Sequence, residues 1–200
     1  MRKIVAYDRV SADGYFSAPD GNLNWTVPEE EIDRSVASGL GGTGTMLFGR
    51  RTYEMFESFW PHVLDDSPTA PDPHAEGRRS PELRAMAEWI DRAEKIVFST
   101  TRKEVPWNNS RLYPTLDPAA IRALKEGDGG NIMVFGSGTL VSQLAEHGLV
   151  DEYHFIVGPV LLGSGKSLIS GVPSTTRLEL LECTPYPHGN VLLRYAPAQG

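Results

Sequence analysis

The sequence predicts a three-layer α/β fold: a central mixed, mostly parallel sheet with helices on both faces and an antiparallel hairpin at its C-terminal end. Three observations carry that prediction. Short apolar, β-branched or aromatic runs alternate with segments of helical spacing, as in layered α/β proteins. The last two runs, LELLEC and VLLRY, flank the turn-rich TPYPHGN as the arms of a hairpin do. The chain has 200 residues, 40% of them hydrophobic, enough for one domain over 1–200 to bury a full core.

In chain order the strand candidates are Ile4 to Tyr7, Thr45 to Phe48, Lys95 to Thr100, Asn131 to Gly136, Glu152 to Pro159, Leu178 to Cys183 and Val191 to Tyr195. The helices are marked by their starts. Thr26 and Glu29 have the spacing of a capping box, Pro28 suits a first turn, and Ile32 and Val36 share a face. Ser80, Pro81 and Glu82 open a second helix, with Leu83, Met86 and Ile90 on one stripe. Asp117 and Pro118 open a third. TLVSQLAEHG gathers Leu140, Val141, Leu144 and Ala145 on one face and stops at Gly148, a residue suited to the position just past a helix. Between Pro61 and Arg79 the chain is proline-rich and poor in apolar residues, so segment 61–79 reads as a mobile surface loop.

Charge and composition exclude several functions. A net charge of −7 leaves no basic face for a nucleic-acid backbone. The N-terminal apolar run breaks at Asp8 and Arg9, which forbids a signal peptide or membrane span, so a cytoplasmic location is expected. Cys183, the single cysteine, reads as a quiet structural thiol at a strand end. His and Cys do not cluster with metal-ligand spacing, so no metal is expected.

Two strand-to-helix junctions, FGRRTYE and VFGSGTL, place small residues at helix N-termini. There the first amides have no intrahelical acceptor and the helix dipole favours anions, which is what a pyrophosphate needs. Thr52, Ser137 and Thr139 add hydroxyl donors. Each junction alone reads better as a glycine chosen for close strand–helix packing than as a phosphate site. A Rossmann fingerprint is excluded because Val141 stands where its third glycine belongs. GSGKS lacks the leading glycine of a P-loop, Val160 standing there, so Lys166 reads as a solvated turn residue.

The order of these segments resembles the dihydrofolate reductase superfamily and, more closely, the reductase domain of the bacterial riboflavin-pathway deaminase-reductase. The matching residues are Ser11, Asp13 and Gly14 after the first strand, then Gly49, Arg50 and Thr52, then VFST, then VFGSGTL. The most specific is the run LVDEYHFIVGPVLLGSGKSLI. The resemblance implies a dihydrofolate reductase-like fold and NADPH as cofactor. It implies Gly49, Arg50 and Thr52 on the adenosine-side phosphates, and Gly136, Ser137, Gly138, Thr139 and Leu140 on the pyrophosphate. Ser99, Thr100, Thr101 and Arg102 would meet the 2′-phosphate, with Arg50 and Arg102 supplying charge. Arg51 and Lys103 read as solvated surface charges.

On the substrate side, the resemblance implies Ser11, Asp13, Trp25 and Glu30. Trp25-Thr26-Val27-Pro28 followed by Glu30 resembles the segment that brings an acid to the pterin ring, which makes Glu30 the proton donor and Asp13 the next candidate. Glu30 reads equally as a helix-start residue placed for the dipole. Arg34 stands where dihydrofolate reductases carry an aromatic, and Arg78 and Arg79 are the loop's only anion binders, so folate fits poorly. A pyrimidinone or pterin-like compound fits better, in the manner of 5-amino-6-(5-phosphoribosylamino)uracil reductase acting as a stand-alone domain. Dihydrofolate reduction, or NADPH binding without turnover, are the alternatives. A homodimer is expected, because Tyr153, Phe155 and Val157 on one face of their strand and His154 and Ile156 on the other leave apolar area to cover, unless the helix from Leu140 to His147 and the C-terminal hairpin cover it.

Overall fold

The computed structural model describes residues 1–39, 42–64, 81–170, 172 and 175–198. Most of the 61–79 segment, with Arg78, Arg79 and Ser80, lies outside them. Among the described residues, ten strands and five helices follow one another as β1 (Ile4–Ser11), β2 (Tyr15–Ser17), α1 (Glu30–Gly39), β3 (Thr43–Gly49), α2 (Arg50–Leu64), α3 (Pro81–Arg92), β4 (Glu94–Phe98), β5 (Ser110–Tyr113), α4 (Pro118–Glu126), β6 (Asn131–Phe135), α5 (Gly138–Glu146), β7 (Glu152–Gly158), β8 (Lys166–Ser167), β9 (Leu178–Pro185) and β10 (Val191–Pro197).

Eight strands form one sheet in the order β5-β4-β3-β6-β1-β7-β10-β9. The first six run parallel, and β10 and β9 add an antiparallel hairpin at the edge. β1 sits near the middle because its residues are buried from both faces. Ile4 and Ala6 pack with Ile132 and Val134 of β6, Ile121 of α4 and Leu140 and Leu144 of α5. Val5 points the other way, onto Met133, Val36 of α1 and Met86 and Trp89 of α3. Helices thus cover both faces, α4 and α5 one and α1, α2 and α3 the other. That is the fold the sequence predicts, with β2, β5 and β8 added.

Cap chemistry sets the helix bounds. Asp117 accepts from the Ala119 amide at the start of α4, as expected of an N-cap. α5 ends in a Schellman pattern, with Gly148 at φ +62°, its amide on Ala145 and the Leu149 amide on Leu144. The start of α1 corrects the sequence reading. The Thr26 amide turns back to the Leu23 carbonyl, and Glu29 caps instead, its carbonyl accepting from Ile32 and Asp33. The Glu29 side chain is committed elsewhere, to the amide and Nδ1 of His188 in the β9–β10 turn. α2 also runs further than expected, through Pro61 to Leu64, because Val63 is buried and holds the last turn. The C-terminal hairpin extends the sheet in its own plane beside β7 and does not cover a face of it.

Lys95 is fully buried, and burial pulls its pKa down to about 8. Its Nζ donates to the carbonyls of Asp91, Ala93 and Asn108 and stands 4.5 Å from the Trp107 ring centroid. It therefore satisfies carbonyls at the end of α3 and serves packing. Among the described residues no helix is long and apolar enough to cross a membrane.

Candidate functional site

The C-terminal ends of the parallel strands open into a cleft of about 1920 Å³, bordered by α1 and α2 on one side and α5 on the other. In open α/β sheets this is where ligands bind. Of the residues the sequence assigned to the cofactor, all but Arg102 line it: Gly49, Arg50 and Thr52 after β3, Ser99, Thr100 and Thr101 after β4, and Gly136 to Leu140 after β6.

The β3 and β6 junctions meet. Ser137 holds the left-handed conformation at φ +62°, next to Gly136 at φ +57°. Its hydroxyl accepts from the Gly49 amide at 3.0 Å and lies 2.8 Å from the Thr52 hydroxyl. Consequently Ser137 occupies the N-cap position of α5 without capping it. The first amides of α5 are left facing the cleft with no side chain of their own cap upon them. Glycine is also demanded here by the chain's own packing: a Cβ on Gly138 would meet the Leu168 carbonyl at 2.8 Å, and one on Gly49 the Ser137 hydroxyl at 2.9 Å. The glycines alone therefore say nothing about a ligand, whereas the uncapped amides and clustered hydroxyls do.

The cationic residues divide differently from the sequence expectation. Arg50 and Arg51 both line the cleft in the first turn of α2, which holds no acidic residue. Cations at a helix N-terminus oppose the dipole, and Arg50 is met one turn on by the Glu54 carboxylate, at 3.0 and 3.3 Å. Arg102 instead forks onto both carboxylate oxygens of Glu57, at 3.0 and 3.3 Å, and lies over the Tyr53 ring. Lys103 is exposed, as expected of a solvated charge. Lys166, read as a turn residue, belongs to β8, which pairs with β2, and it lines the cleft.

The proposed substrate residues are spread more widely. Glu30 lines the cleft at the start of α1 and is exposed, in company with Thr26, Pro28 and Arg34. Ser11, Asp13 and Trp25 do not line it. Ser11 donates to Asp13 at 2.6 Å and accepts from the Tyr15 amide. Asp13 accepts in addition from the amides of Leu162 and Gly163, tying the loop after β7 to the end of β1. The Ser11 hydrogen bond leads in holding the Asp13 carboxyl below its ordinary range, so it is an ionised anchor. Trp25 packs near Gly158, with its indole nitrogen buried and without a partner among the described residues.

Sequence reasoning passed over Asp8. It is 2% exposed, lines the cleft, and among the described residues neither carboxylate oxygen has a hydrogen-bond partner. Burial raises its pKa well above the ordinary carboxylate range, and the nearby Gly136 amide offsets this only in part. The signal was available: in a strand, Ile4, Ala6, Asp8 and Val10 share a face, and a lone acid on a core face calls for a partner. Among the described residues no cluster of His, Cys, Asp or Glu could hold a metal ion.

Known proteins agree with this architecture. The family model of the RibD C-terminal domain matches residues 2–192. Two uncharacterized proteins of Bacillus subtilis, YyaP and YwjB, are 25% and 27% identical over 98% and 90% of this chain, and 95% and 89% of their own lengths. Among solved structures, a putative riboflavin biosynthesis protein from Shewanella sp. PV-4 superposes over the whole of both chains with a TM-score of 0.70 at 20% identity. Dihydrofolate reductase from Enterococcus faecalis, complexed with NADP(H), gives 0.62 at 12% identity over 98% of this chain and 97% of its own. The Thermotoga maritima deaminase/5-amino-6-(5-phosphoribosylamino)uracil reductase gives 0.64 at 15% identity, this chain spanning 57% of it. With the family model covering nearly all of its length, the chain belongs to the RibD C-terminal domain family.

Proposed function

We propose that this protein is an NADPH-dependent reductase that transfers a hydride to a small heterocycle of the pyrimidinone or pterin class. The observation that carries the reading is the uncapped N-terminus of α5, set against a first turn of α2 that carries Arg50 and Arg51. Both helix ends favour an anion, and they stand side by side at the strand ends, joined through Ser137 and Thr52. A pyrophosphate bound there would add a second anion beside Arg50, which Glu54 already pairs, and would offset the charge of Arg51.

The parts then divide by function. The amides of Gly138 and Thr139 would hold the pyrophosphate, Arg50 and Thr52 the adenosine-side phosphate, and Ser99, Thr100 and Thr101 the 2′-phosphate. Bound NADPH supplies the hydride, and the protein supplies position and charge. Glu30, across the cleft from α5, is the proton donor in this reading. A carboxyl group at the mouth of a half-apolar cleft can hold the amide-like edge of a heterocycle and protonate the atom that gains electrons. The support for a pyrimidinone is the family and the cleft's size, which leaves room beside a dinucleotide.

Titration with NADPH and NADH tests the reading. Saturation by NADPH, at least several-fold tighter than by NADH, is the expected result. Turnover is then sought by supplying aminopyrimidinones, pterins and dihydrofolate and following NADPH oxidation. Binding of neither cofactor would overturn the assignment.

A further inference from the structure

Asp8 is a buried carboxyl group whose oxygens find no hydrogen-bond partner among the described residues. Its side chain is on the α5 side of β1, the face shared with Ala6 and Val10. Its cross-strand neighbour is Phe155 of β7, an apolar one, and the end of β6 offers only the Gly136 amide. Burial and that amide are the two influences on its ionisation. Tyr7 and Arg9 on β1, and Glu152 and His154 on β7, alternate onto the opposite face, Tyr7 sensing the Asp8 charge only through space, and Tyr153 of β7, on the same face as Asp8, makes no hydrogen bond to it. The other ionisable groups of the cleft on this side, Glu146 and His147 at the end of α5 and Lys166 of β8, make no hydrogen bond to it. An acid so placed would weaken the fold unless something else in the cleft used it.

The strand order says what that is. In this reading the groups for the 2′-phosphate, the adenosine-side phosphate and the pyrophosphate follow the ends of β4, β3 and β6, which are adjacent in the sheet. The next strand in the row is β1. A dinucleotide laid across the strand ends in that order brings its nicotinamide to β1, on the α5 side, where Asp8 stands.

We propose that Asp8 receives the carboxamide of the nicotinamide and carries the proton balance between the reduced and oxidised cofactor. A carboxylic acid and a primary amide are complementary. The O–H donates to the amide oxygen while the carboxyl C=O accepts an amide N–H, so both unpartnered oxygens are satisfied at once. The reduced ring is neutral and suits the neutral acid. Loss of hydride leaves the ring cationic, and a cation beside a buried carboxyl favours its ionised form. Asp8 then gives its proton to solvent and remains as the carboxylate paired with the oxidised ring. The charges appear together, and neither is buried alone.

This inference rests on the NADPH reading, and the test separates the two. Binding of NADPH and of NADP+ is measured by calorimetry at neutral pH in buffers of different ionisation enthalpy, which counts protons exchanged. The 2′-phosphate is common to both cofactors, so its own titration cancels in the difference. The expected result is release of up to one proton more with NADP+ than with NADPH. NADP+ affinity should rise with pH, approaching tenfold per unit, relative to NADPH. In Asp8→Asn both differences should vanish, while NADPH affinity changes only a few-fold because Asn retains a donor and an acceptor. Equal proton counts in the unmodified protein, or a difference that survives in Asp8→Asn, overturn the role of Asp8 and leave the cofactor assignment standing. Binding of neither cofactor overturns both. If the variant fails to fold, infrared spectra of the unmodified protein labelled with 13C-aspartate decide. A protonated carboxyl band that shifts with NADPH and disappears with NADP+ supports the proposal, and one unaffected by either overturns it.

Discussion

The hydroxyl of Ser137 lies 2.8 Å from that of Thr52, joining the start of α5 to the first turn of α2. The same Ser137 oxygen accepts from the Gly49 amide, so one side chain sets the spacing between the two helix ends. Ser137→Ala should remove both contacts and leave that amide without its acceptor. The expected loss is about 0.5–1.5 kcal/mol of stability, with NADPH affinity falling several-fold because the two anion-binding ends are no longer held in register. Thermal melting and an NADPH titration read the two effects. An unchanged affinity would mean that the junction serves packing alone.

Arg102 is held by Glu57, so cofactor preference should depend on an acid and not only on bases. Glu57→Gln removes the nearer charged partner of Arg102, leaving Glu54 at 3.7 Å, and should loosen the guanidinium toward the 2′-phosphate. The preference for NADPH over NADH is expected to widen by several-fold. Arg50→Ala should narrow it, since a charged hydrogen bond to phosphate contributes roughly 1.5–3 kcal/mol. Paired titrations with the two cofactors measure both changes. If Glu57→Gln narrows the preference, the ion pair itself shapes the phosphate site.

Glu30→Gln should lower turnover by roughly 10² to 10⁴, the usual contribution of a positioned acid, and leave NADPH affinity as it was. The side chain lines the cleft across from α5, where the phosphates are proposed to bind, so the two readouts separate. Full activity at every pH would make Glu30 a helix-start residue placed for the dipole.

What could be read from the sequence divides along a physical line. Runs such as NIMVF and EYHFIVG announce strands because burial on both faces demands continuous apolar residues. β2, β5 and β8 have three, four and two residues, too few to show a period. Local caps were legible where the partner is near, as at Asp117. They were misread at Thr26, because Glu29 spends its carboxylate on His188, far along the chain. The two glycine-bearing strand-to-helix junctions were legible because helix N-termini follow strands there. That Arg102 is occupied by Glu57, and that Asp13 ties down the loop at Leu162, are tertiary facts without a local trace.

Glu152 should give the fold a measurable dependence on acid. Burial opposes its ionisation, but hydrogen bonds from Lys3, His154 and Arg194 outweigh it and hold the pKa down at about 2, against an ordinary 4.5. Because the folded value is depressed, this stabilisation is present above the unfolded pKa and is lost as pH falls from about 4.5 through about 2. Melting temperatures across that window should fall more steeply for the unmodified protein than for Glu152→Gln. Parallel curves would show that the network contributes nothing on folding.

The hairpin's two faces differ in a way that predicts the assembly. On one face Arg194 bonds Glu182 and Glu152 in a charged network. On the other, Tyr195 pairs with Leu180 on β9 and with Tyr153 on β7, while Leu193 pairs with Cys183 and Phe155. This second face runs out to the edge of the sheet, where Leu178, Leu180 and the exposed Cys183 meet solvent. The hairpin lies in the plane of the sheet, so it cannot cover its own apolar side. Leu180 is 52% exposed although it faces an aromatic partner, and scattered exposure does not account for a stripe continuous with the core. A second copy related by a two-fold axis would bury the stripe against itself, the commonest closed arrangement for such a surface. The expected state at micromolar concentration is therefore a homodimer, with a mass by light scattering twice the 22.0 kDa of one chain. Leu180→Glu should shift the mass toward a single chain without lowering the monomer's stability, because the side chain replaced is already half in water. A single-chain mass for the unmodified protein would mean that the stripe stays open or takes a different partner, and a Leu180→Glu protein that remains dimeric would move the interface elsewhere.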